Sequence, residues 1–453
     1  MPIKQDKKIV IIGGGPMGIG AAYRLFKFGY KNWMLYEKND YLGGRSSTHK
    51  DENGFLWDEG GHVLFSHFSY FNQFVNEVLG KDFYRHQRES WIKLPDKWVP
   101  YPFQNNIRYL NPKEQLSSLV GLIKAQNLRK EPKNFKEWIM STFGDGIANI
   151  FMLPFNFKVW ATPAEKMTKD WVGERVSVVK MERVLENIIF AKNDVSWGPN
   201  NNFLFPKYGG TRETYERAGR LFARNLEINK EVIGINFKNK ILKFADGATD
   251  SYDYLISAMP IDKLIEISDD APSRLRKTSQ RLVFNSVYIV GIGVEKKIKT
   301  SKCWVYFPDS RTPFYRMTYF HNYSPYHVPK GDISRYSSLM CEVSYSRYKK
   351  VNRKTIIPKV IKALIDNNII EKKDEKKIVS KFLLDIPYGY PVPTLGRDKI
   401  LRTIQPFLMN NDVYSRGRYG AWKYEISNMD HCFMQGVEAV DKILKNKKET
   451  LWS

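Results

Sequence analysis

The chain has 453 residues with 42% hydrophobic content, enough for two or three packed domains. Its 72 basic and 48 acidic residues leave a formal charge of +24, but the lysines are scattered rather than gathered into a stripe, which argues for a solvated surface and against a nucleic-acid partner. Cys303, Cys341 and Cys432 lack C-x-x-C spacing, which excludes a disulfide framework and a zinc site, and no apolar run approaches the roughly 20 residues that span a bilayer.

The first strand begins within about ten residues of the start, leaving no space for a secretory segment. A soluble protein of a reducing, cytoplasmic compartment is therefore expected, with neither a metal nor a membrane among its partners.

The stretch from Val10 to His62 sets the organisation of the rest. Gly13, Gly15 and Gly18 form G-x-G-x-x-G directly after the apolar run Ile9 to Ile12 and directly before a segment with Ala21, Ala22, Leu25 and Phe26 on one face. Strand, tight turn and helix are the arrangement that lays a dinucleotide pyrophosphate against backbone N–H groups at a helix N-terminus. Glu37 closes the next apolar run about 20 residues after the glycines, where a carboxylate binds ribose hydroxyls. An acidic residue there favours FAD or NAD over a 2′-phosphorylated nucleotide. Two further turns, Gly43-Gly44-Arg45-Ser46 and Gly60-Gly61-His62, bring backbone close to a pyrophosphate and an isoalloxazine, so flavin is favoured over nicotinamide.

From His86 to Gln104, Pro95, Pro100 and Pro102 break short alternating runs into edge strands and loops. Between Pro112 and Lys192 the periodicity is helical, an inserted helical domain with an apolar, aromatic stretch at Phe151 to Trp160. Strands return over Ile228 to Pro260, with turns at Asn239-Lys240 and Asp246-Gly247, and the run DYLISAMP reads as a strand rejoining the first sheet. Leu282 to Tyr345 and Lys381 to Pro391 predict a second, mostly β, layer, and Lys354 to Ile370 a helix. The C-terminal part repeats strand, glycine turn and helix, with Asn428 as N-cap and Phe433, Val437, Val440 and Leu444 as its buried stripe. The positive end of that helix suits the negative charge at N1 of a reduced flavin.

Ten segments, GGHVLFSH, YPFQNNI, NFKVWATP, GERV, WGPN, FPKYGGT, CWVYFP, PFYRMTYFHNYSPY, GYPVPTL and SRGRYGAWKYEISN, together resemble the eukaryotic type of UDP-galactopyranose mutase, in order along nearly the whole chain. The resemblance implies an α/β fold: a Rossmann-like FAD-binding domain (glutathione-reductase-2-like) with an inserted helical domain and a mostly antiparallel β-sheet domain. The expected division is FAD-binding over 1–85, 195–265 and 395–453, β-sheet over 86–111 and 266–394, and helical substrate domain over 112–194. It further implies a flavoprotein that interconverts UDP-galactopyranose and UDP-galactofuranose without net oxidation. N5 of reduced flavin attacks the anomeric carbon, forming a covalent flavin–sugar adduct while UDP is held apart. NADPH is the implied reductant, assembly into a homo-oligomer is allowed, and the product would serve as a precursor of cell-surface glycans.

Holding a leaving pyrophosphate needs fixed cations and hydroxyl donors. By resemblance, Arg175 and Arg316 clamp phosphate, Tyr306, Tyr390 and Tyr424 donate to it, and Arg418 stands between flavin and galactose. Asn200 and Asn428 lie near sugar and flavin, and His62 lies beside the flavin ring. Arg88, Tyr101, Phe103, Gln104, Asn156 and Trp160 belong to the substrate site, the last five as the uridine pocket. Gly13, Gly15, Gly18, Glu37, Gly43, Gly44, Arg45, Ser46, Gly60 and Gly61 hold FAD. Other readings are an amine oxidase or desaturase of the same fold, a mutase of another UDP-sugar, and a non-catalytic binder of UDP-sugar or nucleic acid.

Overall fold

The computed structural model describes residues 6–127, 131–178, 180–195, 198 and 200–452, without the side chain of residue 174. Leu128 of the predicted helical stretch, and Trp197 and Pro199 of the WGPN segment, lie outside these residues.

A five-stranded parallel sheet forms the base, in the order Val413–Ser415, Tyr254–Ser257, Ile9–Ile12, Trp33–Tyr36, Leu226–Glu227. Its strands come from three distant parts of the sequence. Ile9, Val10 and Ile11 have no exposure, because a parallel sheet is covered on both faces, which is why this strand reads as an unbroken apolar run. The helix Pro16–Lys27 follows immediately, with Gly15 as N-cap and a proline in its first turn. It packs across the last helix, Met429–Lys445, at Gly436, where a Cβ would stand 2.1 Å from the Met17 carbonyl oxygen. Ala21, Ala22 and Leu25 are buried, but Phe26, expected on the same face, is 39% exposed, with its ring 6.4 Å from that of Phe222. In the last helix Phe433, Val437 and Val440 are buried and Leu444 is half-buried.

The second layer is a seven-stranded sheet in the order Ile378–Pro391, Phe284–Val294, Ser337–Tyr345, Arg316–Tyr319, Trp304–Tyr306, Ser90–Lys93, Trp98–Pro100. All its pairings are antiparallel except that of Trp304–Tyr306 with Ser90–Lys93. Pro100 sits on the edge strand, where the missing N–H breaks no ladder. The first strand of this order starts at Ile378 rather than Lys381, and the predicted helix over 354–370 is confined to Ile356–Asp366. It stops where Asn368 turns left-handed, at φ 56°. A three-stranded hairpin sheet (Val232–Asn236, Ile241–Phe244, Thr249–Ser251) turns at the two predicted positions.

Helices Pro112–Gln126, Phe135–Ile147, Leu153–Trp160 and Met181–Ile189 form the inserted helical block, with Phe135, Ile139, Phe143, Ile147 and Val184 in its core. Asn111 caps the first of them by accepting from the Glu114 N–H at 2.9 Å. The same hydrophobic cluster contains Ile92 and Val99 from the seven-stranded sheet and Val392 just past the end of its strand Ile378–Pro391, so the helical and sheet layers share one core. No helix among the described residues is long and apolar enough to cross a membrane.

Candidate functional site

A cavity of about 890 Å³ runs from the parallel sheet to the junction of the two other layers. One end is the glycine cradle. Gly13, Gly15 and the first turn of the helix Pro16–Lys27 line it, and Gly15 makes no side-chain cap, so the helix presents its free N–H groups to the cavity. Gly18 lies under this turn, where a Cβ would fall 1.8 Å from the Gly13 carbonyl oxygen; only glycine allows the turn to close. The Gly43 N–H donates to the Gly14 carbonyl at 2.9 Å, bringing the Gly44-Arg45-Ser46 turn alongside.

Glu37 is buried between these turns. Its Oε2 accepts from the Gly14 N–H (2.6 Å), and Oε1 accepts from the Asn39 N–H (2.9 Å) and Nδ2 (2.7 Å). Burial pushes its pKa up, while the backbone donors of Asn39 and Gly14 pull it down. A carboxylate has about four acceptor positions, and three are used, leaving one toward the cavity for a ribose hydroxyl.

Asp58 is a buried residue that sequence reasoning missed. It accepts from Thr48 Oγ1 (2.6 Å) and Thr211 Oγ1 (2.9 Å), and Thr211 Oγ1 also lies 3.0 Å from the Ser46 carbonyl. Three glycine turns are thereby stitched together. Arg45 lines the cavity and pairs with Glu59 at 2.9 Å. The polar letters Asp58, one residue short of Gly60-Gly61, and Thr211, directly after Gly209-Gly210, were the available signal.

The other end gathers charge. Arg88, Tyr101, Arg175, Asn200, Tyr306, Arg316, Tyr390, Arg418, Tyr424 and Asn428 all line the same cavity, together with Gly61 and His62. Strands of the seven-stranded sheet carry Tyr306, Arg316 and Tyr390, and the segments flanking the last helix carry Arg418, Tyr424 and Asn428. The Arg418 guanidinium lies over the Tyr390 ring at 4.8 Å and donates to the Ser427 carbonyl at 3.2 Å. Among the described residues no carboxylate lies within ion-pair distance of it, so a half-buried cation faces the cavity with its charge uncompensated. Arg175 donates to Asn428 Oδ1 (3.0 Å) and the Glu425 carbonyl (2.9 Å), and lies over Tyr424 at 4.6 Å. Asn428 thus takes the N-cap position without capping through its side chain, a correction to the sequence expectation: its oxygen is already used by Arg175.

Glu342 organises the centre and was also missed. Arg316 donates to it twice, Nε to Oε1 at 2.5 Å and Nη2 to Oε2 at 2.9 Å, while the Tyr315 hydroxyl donates to Oε2 at 2.5 Å and the Gly61 N–H to Oε1 at 3.2 Å. Burial would raise its pKa, but Arg316 and Tyr315 more than reverse this and hold it below the ordinary value. Its sequence signal is a lone charge in the otherwise uncharged strand SSLMCEVSY. His62 is pushed the other way. Burial, with Arg418 and Arg316 nearby, lowers its pKa against the opposing pull of Asp58 and Glu342, so it is neutral at pH 7, and among the described residues its buried Nδ1 has no hydrogen-bond partner. Burial raises the pKa values of Tyr101, Tyr306 and Tyr390, keeping their hydroxyls protonated.

Four predicted pocket residues are not on the cavity wall. Phe103 stacks on Phe151 at 4.9 Å, Trp160 meets Tyr424 edge-on at 4.7 Å, and Asn156 Nδ2 donates to the Met152 carbonyl at 2.8 Å. Gln104 Nε2 donates to the Ser177 carbonyl at 2.6 Å, and among the described residues its buried Oε1 has no partner. These side chains pack off the cavity wall, and Trp160 lies directly behind Tyr424. Gly18, Gly43 and Gly60 likewise support the turns from beneath, while Asn200 Oδ1 is held by Arg88 Nη1 at 2.6 Å.

With this geometry in view, comparisons with known proteins are informative. The family model of flavin containing amine oxidoreductases matches residues 18–444. A crystal structure of reduced UDP-galactopyranose mutase superimposes with a TM-score of 0.95 and 44% identity, covering 99% of this chain and 96% of that one. A putative protoporphyrinogen oxidase from Exiguobacterium sp. 255-15 has a TM-score of 0.73 at 15% identity, covering 98% of this chain and 99% of that one, a likeness of fold alone. The 4,4′-diaponeurosporene oxygenase of Staphylococcus haemolyticus (strain JCSC1435) is 35% identical over 118 residues; this chain spans only 22% of that enzyme's length, and the matched part is 26% of this chain. The fold of this chain, with its Rossmann-like cradle, inserted helices and largely antiparallel sheet, superimposes on both solved structures over nearly its whole length. The chain belongs to the flavin containing amine oxidoreductase family and, within it, to the UDP-galactopyranose mutases.

Proposed function

We propose that the protein interconverts UDP-galactopyranose and UDP-galactofuranose with no net redox change. The observation that carries this reading is the convergence of four arginines, Arg88, Arg175, Arg316 and Arg418, and four tyrosines, Tyr101, Tyr306, Tyr390 and Tyr424, on one cavity above a dinucleotide cradle. An oxidase acting on a neutral or cationic amine has no use for such a concentration of cations, whereas a diphosphate that must be released from carbon and held does.

The residues present fit FAD: the N–H groups of Gly15 and Met17 at the helix start for the pyrophosphate, the remaining acceptor of Glu37 for a ribose hydroxyl, and the uncompensated Arg418 for an anionic ring. When bound and reduced, the flavin supplies N5 as the nucleophile toward the anomeric carbon. Arg175, Arg316, Tyr390 and Tyr424 take the diphosphate. Its negative charge is shared with fixed donors, and UDP stays close enough to return. Arg88 fixes Asn200 toward the sugar, and neutral His62 stands at the flavin turn without adding a second proton donor. Tyr101 forms one face of the uridine end. NADPH uses the same cavity as reductant, since the sequence has no second dinucleotide fingerprint.

The test is anaerobic incubation of purified protein with NADPH and UDP-galactofuranose, followed by separation of the products. UDP-galactopyranose is expected to form without stoichiometric NADPH oxidation. Recovery of unchanged UDP-galactofuranose, with a flavin spectrum that UDP does not perturb, would defeat the proposal.

A further inference from the structure

Arg416 and Arg418 leave the same turn in opposite directions. Arg418 enters the cavity. Arg416, in extended backbone just before the turn, points into the interior and has no exposure. Its Nε and Nη2 donate to Glu449 Oε1 and Oε2 at 2.6 and 2.8 Å, and its Nη1 donates to Gln405 Oε1 at 3.0 Å and the Ser415 carbonyl at 2.9 Å. Among the described residues, Glu449 is the one carboxylate within ion-pair distance of this buried guanidinium.

Glu449 lies beyond the last helix, in a segment that folds back over the turn. Asn446 ends the helix in a left-handed conformation, and the N–H groups of Thr450 and Leu451 donate to Glu438 Oε2 at 2.9 and 3.0 Å. Trp452 then covers Arg416, its ring 4.7 Å from the guanidinium carbon. The turn itself is tightly placed. The Gly417 N–H donates to Gln435 Oε1 at 2.9 Å, and a Cβ on Gly417 would meet Met17 Cβ at 2.8 Å, within the first turn of the cradle helix.

We infer that Glu449 is a positioning residue: through Arg416 it fixes the turn that presents Gly417 and Arg418 to the flavin. A buried guanidinium deprived of its carboxylate must find water or another acceptor, and the movement open to it carries Gly417 and Arg418 along. Tyr306, Arg316 and Tyr390, the part of the UDP end carried by strands of the seven-stranded sheet, are not part of this linkage. The inference rests on the flavin reading of the cavity.

The test compares wild-type holoenzyme with Glu449→Gln, Glu449→Asp and the double variant Arg416→Leu/Glu449→Leu. FAD retention is read from flavin fluorescence on dilution, alongside UDP affinity, kcat and the unfolding temperature. Glu449→Gln is expected to weaken FAD retention about tenfold or more, as for one lost charged hydrogen bond, and to lower kcat by up to about a hundredfold, leaving UDP affinity unchanged. Glu449→Asp should recover part of both. The double variant leaves no unpaired charge and should regain stability but not FAD affinity, so it decides the matter even if Glu449→Gln fails to fold. Wild-type FAD affinity and kcat in the double variant, or a single variant altered only in unfolding temperature, would overturn the inference. A wild-type protein that binds no FAD would instead defeat the cofactor reading on which it stands.

Discussion

Glu342→Gln tests the electrostatic centre of the site. In the native protein the carboxylate is 2% exposed and receives both nitrogens of Arg316, the Tyr315 hydroxyl and the Gly61 N–H. The amide keeps the shape but loses the charge, and turns one acceptor into a donor facing a guanidinium. Breaking a buried pair by neutralising one partner costs about 3–5 kcal/mol. With an unfolding entropy of roughly 2.1 cal/mol/K per residue, a cooperative transition of this chain moves by about 1 °C per kcal/mol, so the unfolding temperature should fall by about 3–5 °C. UDP supplies a replacement anion. Its stabilising effect on Glu342→Gln should therefore exceed its effect on the wild type, because in the variant the diphosphate pairs with an arginine that has lost its carboxylate. Differential scanning calorimetry with and without UDP reads both quantities. An unchanged unfolding temperature, or an equal UDP-induced rise in the two proteins, would refute the reasoning.

The same pair sets an acid limit. Glu342 has a depressed pKa when folded, so its stabilisation is fully present above the unfolded value near 4.3 and is lost as pH falls through the folded value. The stability gap between wild type and Glu342→Gln should be constant from pH 7 to about 5 and narrow below that, as urea unfolding at each pH would show. Arg316→Ala is expected to weaken UDP binding by about 1.5–3 kcal/mol, the scale of a hydrogen bond to a charged group; unchanged affinity by calorimetry would remove Arg316 from the diphosphate site. Gly18→Ala places a methyl 1.8 Å from the Gly13 carbonyl oxygen and should yield colourless protein, detected as loss of absorbance near the flavin bands. Desolvation lowers the pKa of half-buried His62, so the folded state resists its protonation. This contributes a destabilisation absent near pH 7 that grows as pH drops below about 6.5, and His62→Asn should lose less stability than wild type over that range.

The cradle was legible because its requirements are local. A pyrophosphate against a helix N-terminus dictates glycines at fixed spacing, and Glu37 follows from the length of one βαβ unit. The long sheet was legible in outline from its apolar runs. Glu342 and Asp58 were not, since each acts through partners from remote segments: Glu342 meets Gly61 and Arg316, and Asp58 meets Thr211. Gln104, Asn156, Phe103 and Trp160 show the opposite problem. Their motifs marked them for uridine, but a motif does not distinguish a side chain on a cavity wall from one packed directly behind it. Phe26 was placed by periodicity on a buried face, and only the neighbouring elements determine how far around the helix that face extends.

The central claim is that this is a flavin-dependent mutase in which the flavin's oxidation state does not change over the cycle. It is tested most directly by giving UDP-galactofuranose, without oxygen, to oxidised and to dithionite-reduced protein and following the sugar nucleotide by chromatography. The account predicts conversion to UDP-galactopyranose by the reduced protein alone, over many turnovers, with the flavin still reduced at the end. Conversion by the oxidised protein, or none by the reduced protein, would contradict it.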